Sequence, residues 1–415
     1  MPVRVIPRAE HPISRKNIDD DALKVLYRLY RSGHTAYLVG GSVRDLLLGR
    51  RPKDFDVATS ARPSQIKRLF RNCRLIGRRF RLAHIHFQTG KIVEVSTFRS
   101  DPMVLDEEDR QGLLVLKDNT FGSPEEDARR RDFTVNGLFY DVGDFSLIDY
   151  VGGVDDVRKG IIRTIGDPAV RFQEDPVRMI RAIKFAARLN FKIEKNTWKA
   201  LVDHLEHLES AARPRVHEEL ARLLESGAAA RSLEYLDESG LLRHLEPRLE
   251  EYLRRAEAGQ VPEDPDGHMV FRMLDEIDNR VTNGWEIERA VLFAVWACPL
   301  VLDRGLATAE DPTDLVGSTL DELSERLGLS RRDNERAQQL LMAQRKLLPT
   351  RRRRGGLPRG FFQKSYFADS FLLFELWALA AGYASELDWW KQRLESHQTG
   401  VPTAGGASPG PHAPA

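Results

Sequence analysis

A chain that runs from a short apolar segment into Gly-Gly, continues as a short apolar helix and then carries two aspartates one residue apart has few folds open to it. Residues 36–59, AYLVGGSVRDLLLGRRPKDFDVAT, have this order. Tyr37-Leu38-Val39 reads as a strand entering a turn at Gly40-Gly41, with a helix after it. Alternation along a following strand puts Asp54 and Asp56 on one side, with Phe55 and Val57 on the other. Two carboxylates side by side repel unless something cationic lies between them. Mg²⁺ suits that place, because it takes oxygen ligands and keeps open positions for phosphate and water. Glycines at 40 and 41 let backbone N–H groups approach a phosphate, and Arg44 is spaced to reach back to the same anion. The stretch reads as a site for a metal-bound nucleoside triphosphate. An Asp-x-Asp alone is usually a solvated edge and a Gly-Gly alone is usually a turn, so the specificity lies in their combination.

The same stretch resembles motif A of the class II tRNA nucleotidyltransferase and bacterial poly(A) polymerase group, in the DNA polymerase beta superfamily. The resemblance implies an α+β protein: a nucleotidyltransferase head with a mixed β-sheet and helices, then an all-α neck, body and tail. The expected division is a lead-in and helix over 1–35, a catalytic head over 36–150, a helical neck with the base-recognition helix over 151–250, a helical body over 251–398 and a disordered tail over 399–415.

A length of 415 residues is enough for more than one domain. The 63 basic and 62 acidic residues nearly cancel, so no global field announces a partner. Cys73 and Cys298 are the two cysteines, without metal-ligand or redox spacing, which fits a reduced, intracellular protein. No apolar run approaches a membrane span, and the N-terminal residues lack the apolar core of a secretory signal. The expected location is the cytoplasm.

Local charge says more. Near the N-terminus, Ile18, Ala22, Val25, Leu26 and Leu29 share one face of an amphipathic helix predicted over 17–31. Between Val57 and Val93 there is no acid, while Arg62, Lys67, Arg68, Arg71, Arg74, Arg78, Arg79, Arg81 and Lys91 accumulate. Directly after a metal site, such a run suits RNA or triphosphate, with Arg78, Arg79 and Arg81 as candidate RNA contacts. Within it, LIGRRFRLAHIHF resembles the segment that sets poly(A) polymerases apart from CCA-adding enzymes. Lys91 to Phe98 alternates like a strand; Glu94 in its middle faces either the aspartate pair or solvent. Residues 100–127 read as an acidic loop. Arg131 and Asp132 then match the family's Arg-Arg-Asp motif B, which implies a nucleotide contact for Arg131 and a third catalytic carboxylate in Asp132. Bottom-up, Asp132 could equally cap a helix starting at Phe133.

Farther on, Asp175, Arg178 and Arg181 are three residues apart and share a helical face. An Asp accepts hydrogen bonds and an Arg donates them. Adenine and cytosine present an amino donor beside a ring-nitrogen acceptor, whereas guanine and uracil present the reverse order. One Asp–Arg pair can therefore take ATP and CTP and refuse GTP and UTP without a template. Glu174, Asp175 and Arg178 match the family's EDxxR motif D. Residues 341–364 are again acid-free, and Arg351, Arg352, Arg353 and Arg354 beside aromatic residues suit single-stranded RNA.

The resemblance implies a template-independent poly(A) polymerase that adds AMP from ATP to RNA 3′ ends, with two Mg²⁺ ions held by Asp54 and Asp56 and with RNA-decay proteins as possible partners. The alternative is a CCA-adding tRNA nucleotidyltransferase, which the LIGRRFRLAHIHF segment argues against. A catalytically idle RNA-binding subunit and a small-molecule nucleotidyltransferase are rivals that leave, respectively, the aspartate pair and the basic stretches without a purpose.

Overall fold

The computed structural model describes residues 2–77, 81–100, 121–262, 264–348 and 360–399. Arg78, Arg79, Arg351 to Arg354, most of the acidic loop and the tail beyond Thr399 therefore lie outside the described residues.

The chain divides into two units. One takes the described residues up to Glu174 together with Asn190–Ala200, and the other takes Asp175–Leu189 and the described residues from Leu201 onward. The strand-rich unit thus runs past the expected head boundary at residue 150. The reason is a return of the chain: β9 (Ile161–Ile162) pairs in parallel with β10 (Lys192–Ile193).

The first unit is built on an eight-stranded mixed sheet. Its strands are β1 (Arg4–Ile6), β2 (Ala36–Val39), β3 (Asp56–Thr59), β4 (Cys73–Ile76), β5 (Leu82–His86), β6 (Ile92–Thr97), β7 (Leu138–Asp141) and β8 (Leu147–Asp149), in the order β1-β8-β7-β2-β3-β6-β5-β4. β3 and β6 run parallel; the other neighbours are antiparallel. Period-two alternation divides the sheet into two faces. Leu38, Val57, Val95 and Ala83 occupy one register row and are fully or almost fully buried. Helices α1 (Asp20–Arg31) and α3 (Pro63–Leu69) pack on the sheet. In α1, Ala22, Val25, Leu26 and Leu29 form the buried stripe expected from sequence. The helix starts later than residue 17 because Asp19 caps it, accepting from the backbone N–H groups of Asp21 and Ala22 at 3.0 and 3.3 Å.

The second unit is helical. Its first helix, after α2 (Gly41–Leu47), α4 (Pro124–Arg129), α5 (Gly153–Lys159) and α6 (Pro168–Glu174) of the sheet unit, is α7 (Val177–Leu189). The chain passes through α8 (Lys195–Asp203) and on to α9 (Arg213–Leu224) and α10 (Ala229–Glu238), both of which pack on α7. Further helices follow, among them Arg289–Asp303, which is buried on nearly every side. Among the described residues, no helix is long and apolar enough to cross a membrane. The whole is an α+β protein, with its strands in the first part of the chain and helices in the rest.

Candidate active site

The sheet's other face carries polar groups in one row. Register places Val39 of β2 opposite Asp56 of β3, Asp56 beside Glu94 of β6, and Glu94 opposite His84 of β5. Residues directly opposite in a ladder share a face, so Asp56, Glu94 and His84 stand side by side. Glu94, left open between two orientations by the sequence, is on the aspartate side. Asp54 lies two residues before β3 rather than within it, and is exposed. Asp56 keeps an opening to solvent, yet surrounding protein crowds it. Burial and then the charge of Glu94 push its carboxyl up to about 6, with Asp54 adding to the effect and Arg131 opposing it. This crowding of carboxylates is what a hard, oxygen-seeking divalent cation relieves, so the donor set fits Mg²⁺.

Between β2 and α2 the chain turns at Gly40, whose φ of 73° and ψ of −136° suit only glycine. A Cβ there would come within 3.2 Å of the Arg131 guanidinium. Arg44, the expected anion contact, packs against the turn, its guanidinium 3.5 Å from where a Cβ on Gly41 would lie, with 1% of its surface exposed. Its Nε donates to Asp45 at 2.8 Å and its Nη1 to the Asn136 side-chain oxygen at 2.6 Å. Asn136 in turn donates to Asp132 at 3.1 Å, and Asp132 also accepts from the Phe133 backbone N–H at 2.8 Å. Asp132 therefore braces the entry to the 3₁₀ turn Thr134–Asn136 without capping it, and Asn136 ties it to Arg44.

Arg131, implied by the motif as a nucleotide contact, lies beside Gly40. What orients it was missed at the sequence level. Asp127, fully buried on α4, accepts from Arg130 at 2.8 Å and from Arg131 at 2.9 Å. Burial works to raise the Asp127 carboxyl, but Arg131 and Arg130 overcome it and hold it below its ordinary value. Burial, then repulsion from Arg130 and Arg131, lowers Arg99 to about 10, with Asp127 opposing. Like charges crowded in this way favour an anionic ligand. The signal for α4 was legible: Ser123-Pro124-Glu125-Glu126 is a capping box, with Glu126 accepting from the Ser123 N–H at 2.6 Å. Arg81, the described member of the basic triplet, is exposed just before β5.

In the helical unit, Asp175 sits in the break before α7, so it does not belong to the helix that carries Arg178 and Arg181. Its Oδ2 accepts from Arg215 of α9 at 2.7 Å, while its Oδ1 is buried without a hydrogen-bond partner among the described residues. Arg181 donates to Glu219 of α9 at 2.9 Å, and the same carboxylate receives Lys184 at 2.5 Å. Arg215 and Glu219 were not singled out from sequence. Their four-residue spacing on α9, three to four dozen positions downstream, shows its meaning only once α9 packs on α7.

Residues 36–163 match a family described as the poly A polymerase head domain. Residues 190–253 match one described as a probable RNA and SrmB-binding site of polymerase A. Poly(A) polymerase I of Salmonella typhi is 44% identical over 342 residues, covering 79% of this chain and 72% of that protein. The chain belongs to the poly(A) polymerase family. It is a nucleotidyltransferase with the head that this family shares with CCA-adding enzymes. A CCA-adding enzyme of Bacillus licheniformis is 38% identical over 224 residues, 54% of this chain and 55% of that one. Among solved structures, the Bacillus stearothermophilus CCA-adding enzyme in complex with CTP superposes with a TM-score of 0.64 at 28% identity, over 90% of this chain and 82% of the other. Likeness to the poly(A) polymerase thus extends over more of the sequence than likeness to the Bacillus licheniformis enzyme.

Proposed function

We propose that this chain adds AMP from ATP to RNA 3′ ends without a template, in the cytoplasm, and that the tails serve RNA decay. The observation that carries the chemistry is the carboxylate row: Asp56 beside Glu94, with Asp54 adjoining, next to the Gly40-Gly41 turn and Arg131. The similarity to poly(A) polymerase I supports AMP as the group transferred. In the reaction, the RNA 3′-oxygen forms a bond to the α-phosphorus of ATP, the bond to pyrophosphate breaks, and the hydroxyl proton passes to solvent. Asp54, Asp56 and Glu94 would hold two Mg²⁺ ions, which lower the pKa of the attacking hydroxyl and neutralise the leaving phosphates.

The chain's own groups do the positioning. Gly40 and Gly41 leave room for a phosphate at the start of α2, and Arg131, oriented by Asp127, offers it a fixed guanidinium. Arg44, buried, keeps the turn in shape through Asn136. Asp175 and Arg178 read the Watson–Crick edge of the incoming base, with Arg215 fixing the Asp175 carboxylate. Asp132 acts through Asn136 as a positioning residue. Arg81 and the basic stretches at 78–79 and 351–354 attract the RNA.

Primer extension with Mg²⁺ and one nucleotide at a time tests the reading, on an oligo(A) RNA and on a tRNA lacking its terminal CCA. Long tails from ATP alone on oligo(A), with little use of CTP, are expected. Addition of two C and one A to the tRNA, followed by a stop, would mean a CCA-adding enzyme instead. Asp54→Ala and Asp56→Ala are each expected to abolish transfer while leaving the melting temperature near that of wild type; activity retained in either purified variant would remove the metal assignment.

A further inference from the structure

The carboxylate row does not end at Glu94. In β5, His84 stands directly opposite Glu94, and in β4, Arg74 stands directly opposite His84. One face of four adjacent strands therefore carries Asp56, Glu94, His84 and Arg74 in sequence. The His84 Nε2 lies 3.4 Å from the Glu94 Oε1, with the His84 side chain 19% exposed and the Glu94 side chain 48% exposed.

From the carboxylate geometry we infer that His84 is a positioning residue for Glu94, holding one of its oxygens so that the other serves a divalent cation. This inference rests on the proposed role of Glu94 as a cation ligand. Like charges directly opposite each other on neighbouring strands repel, and a half-exposed glutamate has rotamers that carry it away from Asp56 into solvent. The His84 imidazole, its Nε2 3.4 Å from the Glu94 Oε1 on the far flank, is close enough to restrict that freedom once the pair closes to a hydrogen bond. It leaves the carboxylate charged and needs only the neutral Nε2–H tautomer, so no titration of His84 is involved. Partners of this kind behind a metal-binding carboxylate orient it, and their loss typically costs about 10–100-fold in metal affinity or activity.

The test uses the full chain, with Mn²⁺ as the probe and binding read by electron paramagnetic resonance, independent of turnover. His84→Phe keeps a planar ring without the N–H donor and is expected to weaken Mn²⁺ binding about 10–100-fold. His84→Gln restores an N–H donor and is expected to recover most of the affinity, which a purely packing role would not produce. In a Glu94→Ala background, His84→Phe is expected to add nothing. If Glu94→Ala weakens Mn²⁺ binding but His84→Phe does not, or if the two losses simply add, the positioning role is overturned while the ligand role of Glu94 stands. If Glu94→Ala leaves Mn²⁺ binding unchanged, the ligand reading fails and this inference fails with it.

Discussion

Arg44 shows how a residue's meaning changes with its depth. An arginine three positions after Gly-Gly reads as an anion contact, yet here it is buried against Asp45 and Asn136. Removing one partner of a buried ion pair leaves the other charge uncompensated. Arg44→Ala is therefore expected to destabilise the sheet unit by about 3–5 kcal/mol, measured by chemical denaturation, with lost activity following lost structure. An unchanged unfolding midpoint would return Arg44 to the ligand role. Glu94 and Asp132 separate in a similar way. Glu94→Ala is expected to remove transfer activity with little change in melting temperature, because Glu94 is half-exposed at the row. Asp132→Ala removes the hydrogen bonds to the Phe133 N–H and the Asn136 side chain and is expected to lower both melting temperature and activity. The reverse pattern would assign the third carboxylate to Asp132.

At the scale of elements, helix ends carry both stability and pH dependence. In the helical unit, Asp278, on the helix Met269–Thr282, caps α10 by accepting from the backbone N–H groups of Ala229 and Ala230 at 2.7 and 3.0 Å. Burial nevertheless pushes its carboxyl up to about 6, against the pull of those two N–H groups, with Asp275 adding to the rise. A carboxyl with a folded pKa above its unfolded value of about 4 binds its proton more tightly when folded. Its ionisation therefore costs stability as pH rises from about 4 through about 6. Asp278→Asn removes that cost but gives up one cap at every pH, a constant offset. The difference in melting temperature, variant minus wild type, is expected to rise by a few degrees between pH 4 and pH 7 and then level off. A flat difference would mean that Asp278 titrates as an ordinary carboxylate.

At the scale of the whole molecule, the chain does not divide at one point. After α7 it returns to the sheet unit over Asn190–Ala200, where Lys192 and Ile193 pair with β9 and the Thr197 hydroxyl accepts from the Thr164 N–H at 3.3 Å. Phe133 bridges to Thr164, and the Ile165 N–H donates to the Asp132 carbonyl at 3.0 Å. A fragment of residues 1–174 is therefore expected to lose hydrogen-exchange protection at Thr164 and Ile165 relative to the full chain. Unchanged protection would make the return segment dispensable.

Much was legible in the chain itself. The alternation of 36–39 and 91–98, the apolar stripe of α1, the Gly-Gly turn and the spacing of Asp54, Asp56, Arg131, Asp132 and Asp175 are local patterns, governed by the periods of strand and helix. They determined the elements, the family and the chemistry that its members share. Three things waited for the tertiary structure. Pairing of β3 with β6 in one register brought Glu94 beside Asp56 and His84 beside Glu94. Burial set Arg44 against Asp45 and Asn136. Packing of α9 on α7 gave Asp175 and Arg181 their partners. Each depends on contacts between residues dozens of positions apart, set by strand register and by which groups lose their water, and neither is written in local spacing.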